Sequence, residues 1–207
     1  MSSSKASETK HYAPLDQIPV SPRERIVSSA AELFRKFGIR GIGVDAIVEA
    51  AHTNKMTLYR KFGSKDELLC ETLRHVTQRA CSLWEELEKL HPNDAAAQLR
   101  GWLDFQVERL EQEPGGCDMA NAAVELRDSN HPAHAVVQEF KNSQRNRLAA
   151  VCEAMRVSDP QLLADTLSLL LEGARVNQQA CGTDGSSRRF REACEVTVAA
   201  FSGSYSG

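Results

Sequence analysis

The sequence predicts an all-α protein. Apolar residues recur at three- and four-residue spacings through most of the 207 residues, the period of a helix face. Seven prolines and twelve glycines sit mostly between those periodic segments, and no alternating strand pattern persists. The length suits one domain or two small ones and allows a proper core.

The first periodic segment begins at Ser21-Pro22-Arg23-Glu24, where Ser21 can cap, Pro22 suits the first helical position and Glu24 completes a capping box. Ile26, Ala30, Leu33, Phe34 and Phe37 give its core face, and Gly38 ends it. Residues Val44 to Phe62, VDAIVEAAHTNKMTLYRKF, hold two short helical patterns. Ile47, Val48 and Ala51 make one apolar face, and Leu58 and Phe62, four apart, make the second. Between them His52-Thr53-Asn54 supplies residue types that favour turns and caps. Lys55, Thr57, Tyr59, Arg60 and Lys61 remain on the outer surface, a donor-rich set suited to phosphates and base edges. Two helices on a tight turn, the second one basic, describe a helix-turn-helix over residues 43–62. Ser64-Lys65-Asp66-Glu67 is a second capping box, and the helix it starts runs through Leu68, Leu69, Leu73 and Val76 toward Leu90 and Pro92.

The C-terminal body starts with a helix of about Ala95–Gln112, carrying Leu99, Trp102, Leu103, Phe105 and Leu110, which the run Pro114 to Gly116 stops. A short segment, Cys117 to Leu126, leads to Asp128-Ser129-Asn130-His131-Pro132 and a helix of about Ala133–Met155. Ser158-Asp159-Pro160 caps the next helix. Leu162, Leu163, Leu167, Leu169, Leu170 and Leu171 exceed what one core-facing stripe needs. A last helix of about Ser187–Ser202 adds Phe190, Ala193, Val196, Val198 and Phe201. Residues 1–20 are Ser-rich and polar, with Pro14 and Pro19, and read as a mobile tail in preference to a basic arm, for which Lys5 and Lys10 are thin support.

The net charge of −3 is unevenly placed. Residues 21–75 carry ten Lys/Arg against seven Asp/Glu, and residues 76–207 carry thirteen against nineteen. That asymmetry suits a polyanion-binding module joined to a body that is not one. The six cysteines form no Cys-x-x-Cys pair and most fall beside Ala or Leu in helical patterns, so buried free thiols are expected over a disulfide framework. No stretch approaches the ~20 apolar residues of a membrane span, and the N-terminus lacks a signal-peptide core. A cytoplasmic protein with no membrane association is expected.

From Ser21 to Leu73 the chain resembles the N-terminal domain of the tetracycline-repressor (TetR) family. The matching residues include Ile26, Ala30, Leu33-Phe34, Gly38, Ile47, Ala51, Lys55 and above all the run Thr57 to Leu68, TLYRKFGSKDEL. The stretch GCDMANAAVEL followed by HPAHAVV is a looser match to a common C-terminal body of that family. The resemblance implies a three-helix DNA-binding domain at 21–67 and a regulatory and dimerisation domain at 68–207. It implies a homodimer through the last two helices (about 160–202), a palindromic double-stranded DNA operator and a small-molecule effector of unknown identity. It implies a non-enzymatic regulator, in most cases a repressor, that needs no cofactor. A helical small-molecule-binding protein or enzyme with an incidental helix-turn-helix is the alternative.

On this resemblance the DNA contacts are Val44, Lys55, Met56, Thr57, Tyr59, Arg60, Lys61 and Lys65. Lys55 can donate to guanine acceptors, and Thr57 can bond a base or touch a methyl. Tyr59 and Lys61 would bond phosphates, and so would an exposed Lys65 with the free amides at its helix start. Three positions depart from the family pattern. Gly43 lacks the capping hydroxyl of many members, leaving a phosphate contact to the amides of Val44 or Asp45. His52 stands where Gly is frequent, in a turn that would require an uncommon positive φ. Met56 replaces a small residue and fits either a thymine methyl or packing on the turn.

The effector pocket implied by the resemblance is lined by Trp102, Phe105, Met119, Asn121, Phe140, Arg175 and Gln178. It would suit a small, mostly apolar molecule bearing an anionic or hydrogen-bonding group. Cys117, His131 and His134 lack a recognised metal-ligand spacing and read as structural. Glu125, Asp128 and Asp118 have no spacing that would make an acid–base set.

Overall fold

The structure is a computed structural model, and it describes residues 21–112, 116–182 and 185–203. Those residues form helices and connections, with no strand among them. The helices are α1 (Pro22–Phe37), α2 (Val44–Ala50), α3 (Lys55–Phe62), α4 (Lys65–Leu90) and α5 (Ala95–Gln112). They continue with α6 (Asp118–Glu125), α7 (Ala133–Ala154), α8 (Pro160–Cys181) and α9 (Ser186–Ser202). The N-terminal tail expected at residues 1–20 lies outside the described residues, as does most of the Pro114 to Gly116 break.

Local chemistry accounts for the helix ends. The Ser21 hydroxyl accepts from the Glu24 amide, and the Glu24 carboxylate accepts from the Ser21 amide at 3.0 Å, the reciprocal capping box. Gly38 closes α1 at φ 77°, where its N–H reaches the Phe34 carbonyl. Ser64 caps α4 through Glu67 N–H at 3.0 Å, and Asp159 caps α8 with Pro160 in the first turn.

Two hydrophobic cores result. The first joins α1, α2, α3 and the first third of α4 around Ile26, Ile47, Leu58 and Leu68, all fully buried, and is closed from the body side by Met119, Ala122 and Ala133. The second gathers Leu83, Trp84 and Leu87 of α4 with α5, the end of α7, α8 and α9. Helix α4 therefore contributes to both cores along its 26 residues, about 39 Å at ~1.5 Å per residue. Trp102 stacks on Trp84 and meets Phe190 edge-on, both with ring centroids 6.4 Å apart.

One expected core residue is not there. Phe37, in the last turn of α1, is 54% exposed with the Lys36 ammonium 5.2 Å from its ring. The chain reverses at Gly38, and Ile39 and Ile42 of the following loop take the buried positions. Among the described residues, no helix is long and apolar enough to cross a membrane.

Candidate nucleic-acid interface

Helices α2 and α3 are set by a turn whose every residue has a local task. Ala51 is buried and its carbonyl accepts from Arg25 of α1 at 3.1 Å. His52 takes the left-handed conformation, φ 48°, one of three non-glycine residues described with positive φ. Thr53 N–H returns to the Val48 carbonyl at 2.9 Å. The Asn54 side chain caps α3 by accepting from Thr57 N–H at 2.9 Å. Imidazole in place of glycine is thus tolerated, and His52 serves as a turn residue.

Leu58 and Phe62 seat α3 in the first core, and the side chains beside them point outward. Lys55, Met56, Tyr59, Arg60 and Lys61 are exposed, and Thr57 is half-buried. Met56, at 78% exposure, does not pack on the turn. Val44 is half-buried at the start of α2, where Gly43 supplies no side-chain cap.

Two of the expected cations are engaged within the chain. Lys55 Nζ lies 2.8 Å from Asp45 Oδ1, a solvent-exposed pair between α3 and the first turn of α2. Hydrogen bonding to Asp45 raises the Lys55 ammonium above its ordinary pKa. Lys65 is not the exposed side chain the sequence suggested. It is half-buried, its ammonium donates to the Ile39 carbonyl at 2.9 Å, and it lies 5.9 Å from the Phe34 ring. The loop after α1 passes close to the start of α4 and captures it.

Helix α6 fastens this head to the body at both of its ends. Asp118 in its first turn takes a two-pronged bond from Arg35 of α1, Nε at 3.1 Å and Nη2 at 2.9 Å. Glu125 in its last turn accepts from the Ile39 amide at 2.7 Å and the Arg40 amide at 3.3 Å. A Cβ on Gly38 would stand 3.0 Å from that carboxylate, and φ there is already 77°. The sequence showed Asp118 and Glu125 only as carboxylates without a set; their partners lie more than eighty residues away. His131 and His134 are structural too. His131 Nδ1 accepts from Ala133 N–H and its Nε2 lies 3.4 Å from Asp66, while His134 meets the Leu126 carbonyl.

Residues 26–72 match the family model of bacterial regulatory proteins of the TetR family, the span that builds the head. That segment is a TetR-family domain. This regulator is similar to the HTH-type transcriptional regulator YjdC of Escherichia coli K12, 23% identical over 154 residues that span 73% of this chain and 80% of YjdC. A TetR-family transcriptional regulator from Streptomyces coelicolor superposes with a TM-score of 0.81 at 24% identity, over 87% of this chain and 96% of that one. A TetR-type protein from Streptomyces avermitilis gives 0.71 at 28% identity, over 87% and 98%. The regulator is accordingly a DNA-binding transcriptional regulator, and its relatives are regulators and not enzymes.

The regulator's body holds a cavity of about 220 Å³ between α4, α5, α6, α7 and α8. Trp102, Met119, Phe140 and Arg175 line it as the sequence suggested, joined by Gln106, Lys141 and Glu172. Phe105, Asn121 and Gln178 do not line it. Phe105 is buried between the guanidinium groups of Arg79 and Arg109, 5.7 and 5.9 Å from its ring. Asn121 faces the smaller hollow beneath Phe34 and Arg35. Gln178 is buried and donates to the Leu110 carbonyl, joining α8 to α5. Helical spacing could not separate these from the lining residues, because each helix has two faces buried against different neighbours.

Proposed function

We propose that this regulator is a homodimeric repressor that leaves a palindromic operator when a small molecule fills the cavity. The observation that carries it is the outward array on α3: Lys55, Met56, Thr57, Tyr59, Arg60 and Lys61 stand free of the core that Leu58 and Phe62 occupy. Lys55, Thr57 and Met56 read base edges in the major groove, and Tyr59, Arg60 and Lys61 bond the phosphates. The free amides at Val44 and at the start of α4 add phosphate sites, with Lys65 giving positive potential from its seat on Ile39. In this reading residues 21–67 are the DNA-binding unit, residues 68–207 the regulatory and dimerising unit, and the protein is cytoplasmic.

Dimerisation through α8 and α9 is supported by their uncovered apolar faces. Leu162, Leu169 and Val176 repeat every seven residues with Thr166 and Gly173 between them, the a/d seam of a helical bundle. On α9, Ala193 and Val196 form the matching stripe. Two heads on such a dimer meet half-sites ~34–36 Å apart. Helix α6 carries the signal: Asp118 and Met119 line the cavity while Asp118 and Glu125 grip the head. A ligand that displaces α6 tilts the head, and a coupling of ~1–3 kcal/mol is enough to change occupancy.

The test is binding to a duplex that the protein itself selects from a random-sequence pool. Affinity should fall steeply with salt, and Lys61→Ala should flatten the log–log slope by about one unit. Thr57→Ala should relax selectivity at one base pair by about 1–3 kcal/mol. A salt-insensitive association, or Thr57→Ala with unaltered selectivity, would remove α3 as the reading element.

A further inference from the structure

The cavity walls divide into an apolar face and an unbalanced charged one. Trp102, Met119, Phe140 and Leu148 supply the first. Lys141, Arg145 and Arg175 line the second together with Asp118 and Glu172. Asp118 is already held by Arg35, and Arg145 by Asp165 outside the cavity. What remains at the centre is Glu172 between two cations, and both converge on the same oxygen. Lys141 Nζ bonds Glu172 Oε1, and Arg175 Nη1 lies 3.4 Å from that atom. The other arm of Arg175, Nη2, donates to Gln106 Oε1 at 2.9 Å, and Gln106 is itself 5% exposed. Arg175 keeps only 14% of its side-chain surface.

One carboxylate thus answers two partly desolvated cations, and the cluster carries an excess positive charge in a site where water screens poorly. An ammonium has three donors, and Lys141 uses one on Glu172 and a weak second on Cys117 Sγ at 3.7 Å. Its remaining donor and the guanidinium beside it form a ready anion seat at the edge of an apolar wall. The volume, near 220 Å³, falls below the ~300–1,000 Å³ that holds drug-sized ligands. A compact molecule is required.

We propose that the cavity takes a small amphipathic monoanion, a carboxylate on an apolar body, with its charge at Lys141 and Arg175 and its body against Trp102 and Phe140. This rests on the cavity being the effector site. The anion competes with Glu172 for the same two cations, so binding loosens the link between α7 and α8 that the Lys141–Glu172 pair makes. Its apolar end meets Met119 of α6, the helix that grips the head.

The experiment uses full-length protein and matched triplets: short- and medium-chain alkyl and phenylalkyl carboxylates, with the primary amide and primary amine of each. Binding is read from Trp fluorescence, since Trp102 is one of only two tryptophans and lines the site, and from the shift in Tm. Carboxylates should quench and stabilise, with the amide of each pair at least ~10-fold weaker and the amine weaker still. Lys141→Gln and Arg175→Gln should each weaken the carboxylate by ~10-fold or more. Glu172→Gln removes the competitor and should tighten it, an effect that a purely structural role would not produce. If Arg175→Gln fails to fold, Lys141→Gln and Glu172→Gln still decide. The proposal is overturned if an amide or amine equals its carboxylate, if no carboxylate binds, or if Glu172→Gln weakens binding. Operator retention is measured in parallel. A carboxylate that binds without altering it defeats the effector-release reading and leaves the charge assignment standing. A neutral or cationic member that releases DNA does the reverse.

Discussion

Replacing Val196 by glutamate should split the proposed dimer without unfolding the protomer. Leu162, Leu169, Val176 and Val196 leave 52, 73, 58 and 70% of their surface uncovered on the single chain. Full burial of such a side chain is worth about 1.5–3 kcal/mol, so covering these fractions stabilises a symmetric pair by roughly 8–15 kcal/mol. Association costs ~4–15 kcal/mol, which leaves a margin that one residue can decide. Losing Val196 from both copies removes about 2–4 kcal/mol, or roughly 30- to 1,000-fold in dimer Kd. Two carboxylates buried at the seam add to that loss. The protomer should be little affected, within about 0.5 kcal/mol, because the position is on its surface. Sedimentation equilibrium over a range of concentrations reads the dimer, and circular dichroism reads the fold. A variant that stays dimeric at low concentration would refute the seam on α8 and α9, and one that unfolds as a monomer would show that Val196 belongs to the protomer core.

Three further outcomes are expected. Asp45→Asn frees Lys55 and removes a negative charge from the first turn of α2, so operator affinity at low salt should rise by about 3- to 10-fold with a steeper salt slope; an unchanged affinity in a filter-binding titration would detach Lys55 from the duplex. Glu125→Ala strips the carboxylate from the amides of Ile39 and Arg40 and should cost about 1–3 kcal/mol in urea denaturation, and Glu125→Gln, which keeps one acceptor, should cost less. Burial pushes the thiols of Cys152 and Cys194 up to about 11 and about 12, so both stay protonated at pH 8, while Cys81 and Cys181 lie at the surface. Iodoacetamide on the native protein should therefore label the exposed pair first, as peptide mass spectrometry will show, and early labelling of Cys194 would contradict its place in the second core.

The helix starts were legible because capping chemistry is local. Ser21, Ser64 and Asp159 each bond an amide three residues on, so the sequence contains both partners. The spacing of Leu58 and Phe62 likewise separated the buried side of α3 from its outward donors. Phe37 shows where that reasoning ends. Its period places it on the α1 core face, yet the left-handed Gly38 diverts the chain and lets Ile39 and Ile42 take the space.

The candidate contacts divide along the same line. That Lys55 and Lys65 are cations beside a turn was evident, but that Asp45 and the Ile39 carbonyl hold their ammonium groups was not. The cavity drew Gln106, Lys141 and Glu172 from three helices, and Glu172–Arg175 alone of its links was visible as an i, i+3 pair.

By itself, the amino-acid order determined the helical class, the caps, the turn at His52 and the outward face of α3, all consequences of interactions within about four residues. The tertiary structure alone decided that α6 grips the head through Arg35 and the Ile39 amide, that Lys65 turns inward, and that Glu172 stands between two cations. Each of those depends on segments brought together by packing of the two cores, and a helical period fixes which residues share a face without saying what that face will meet.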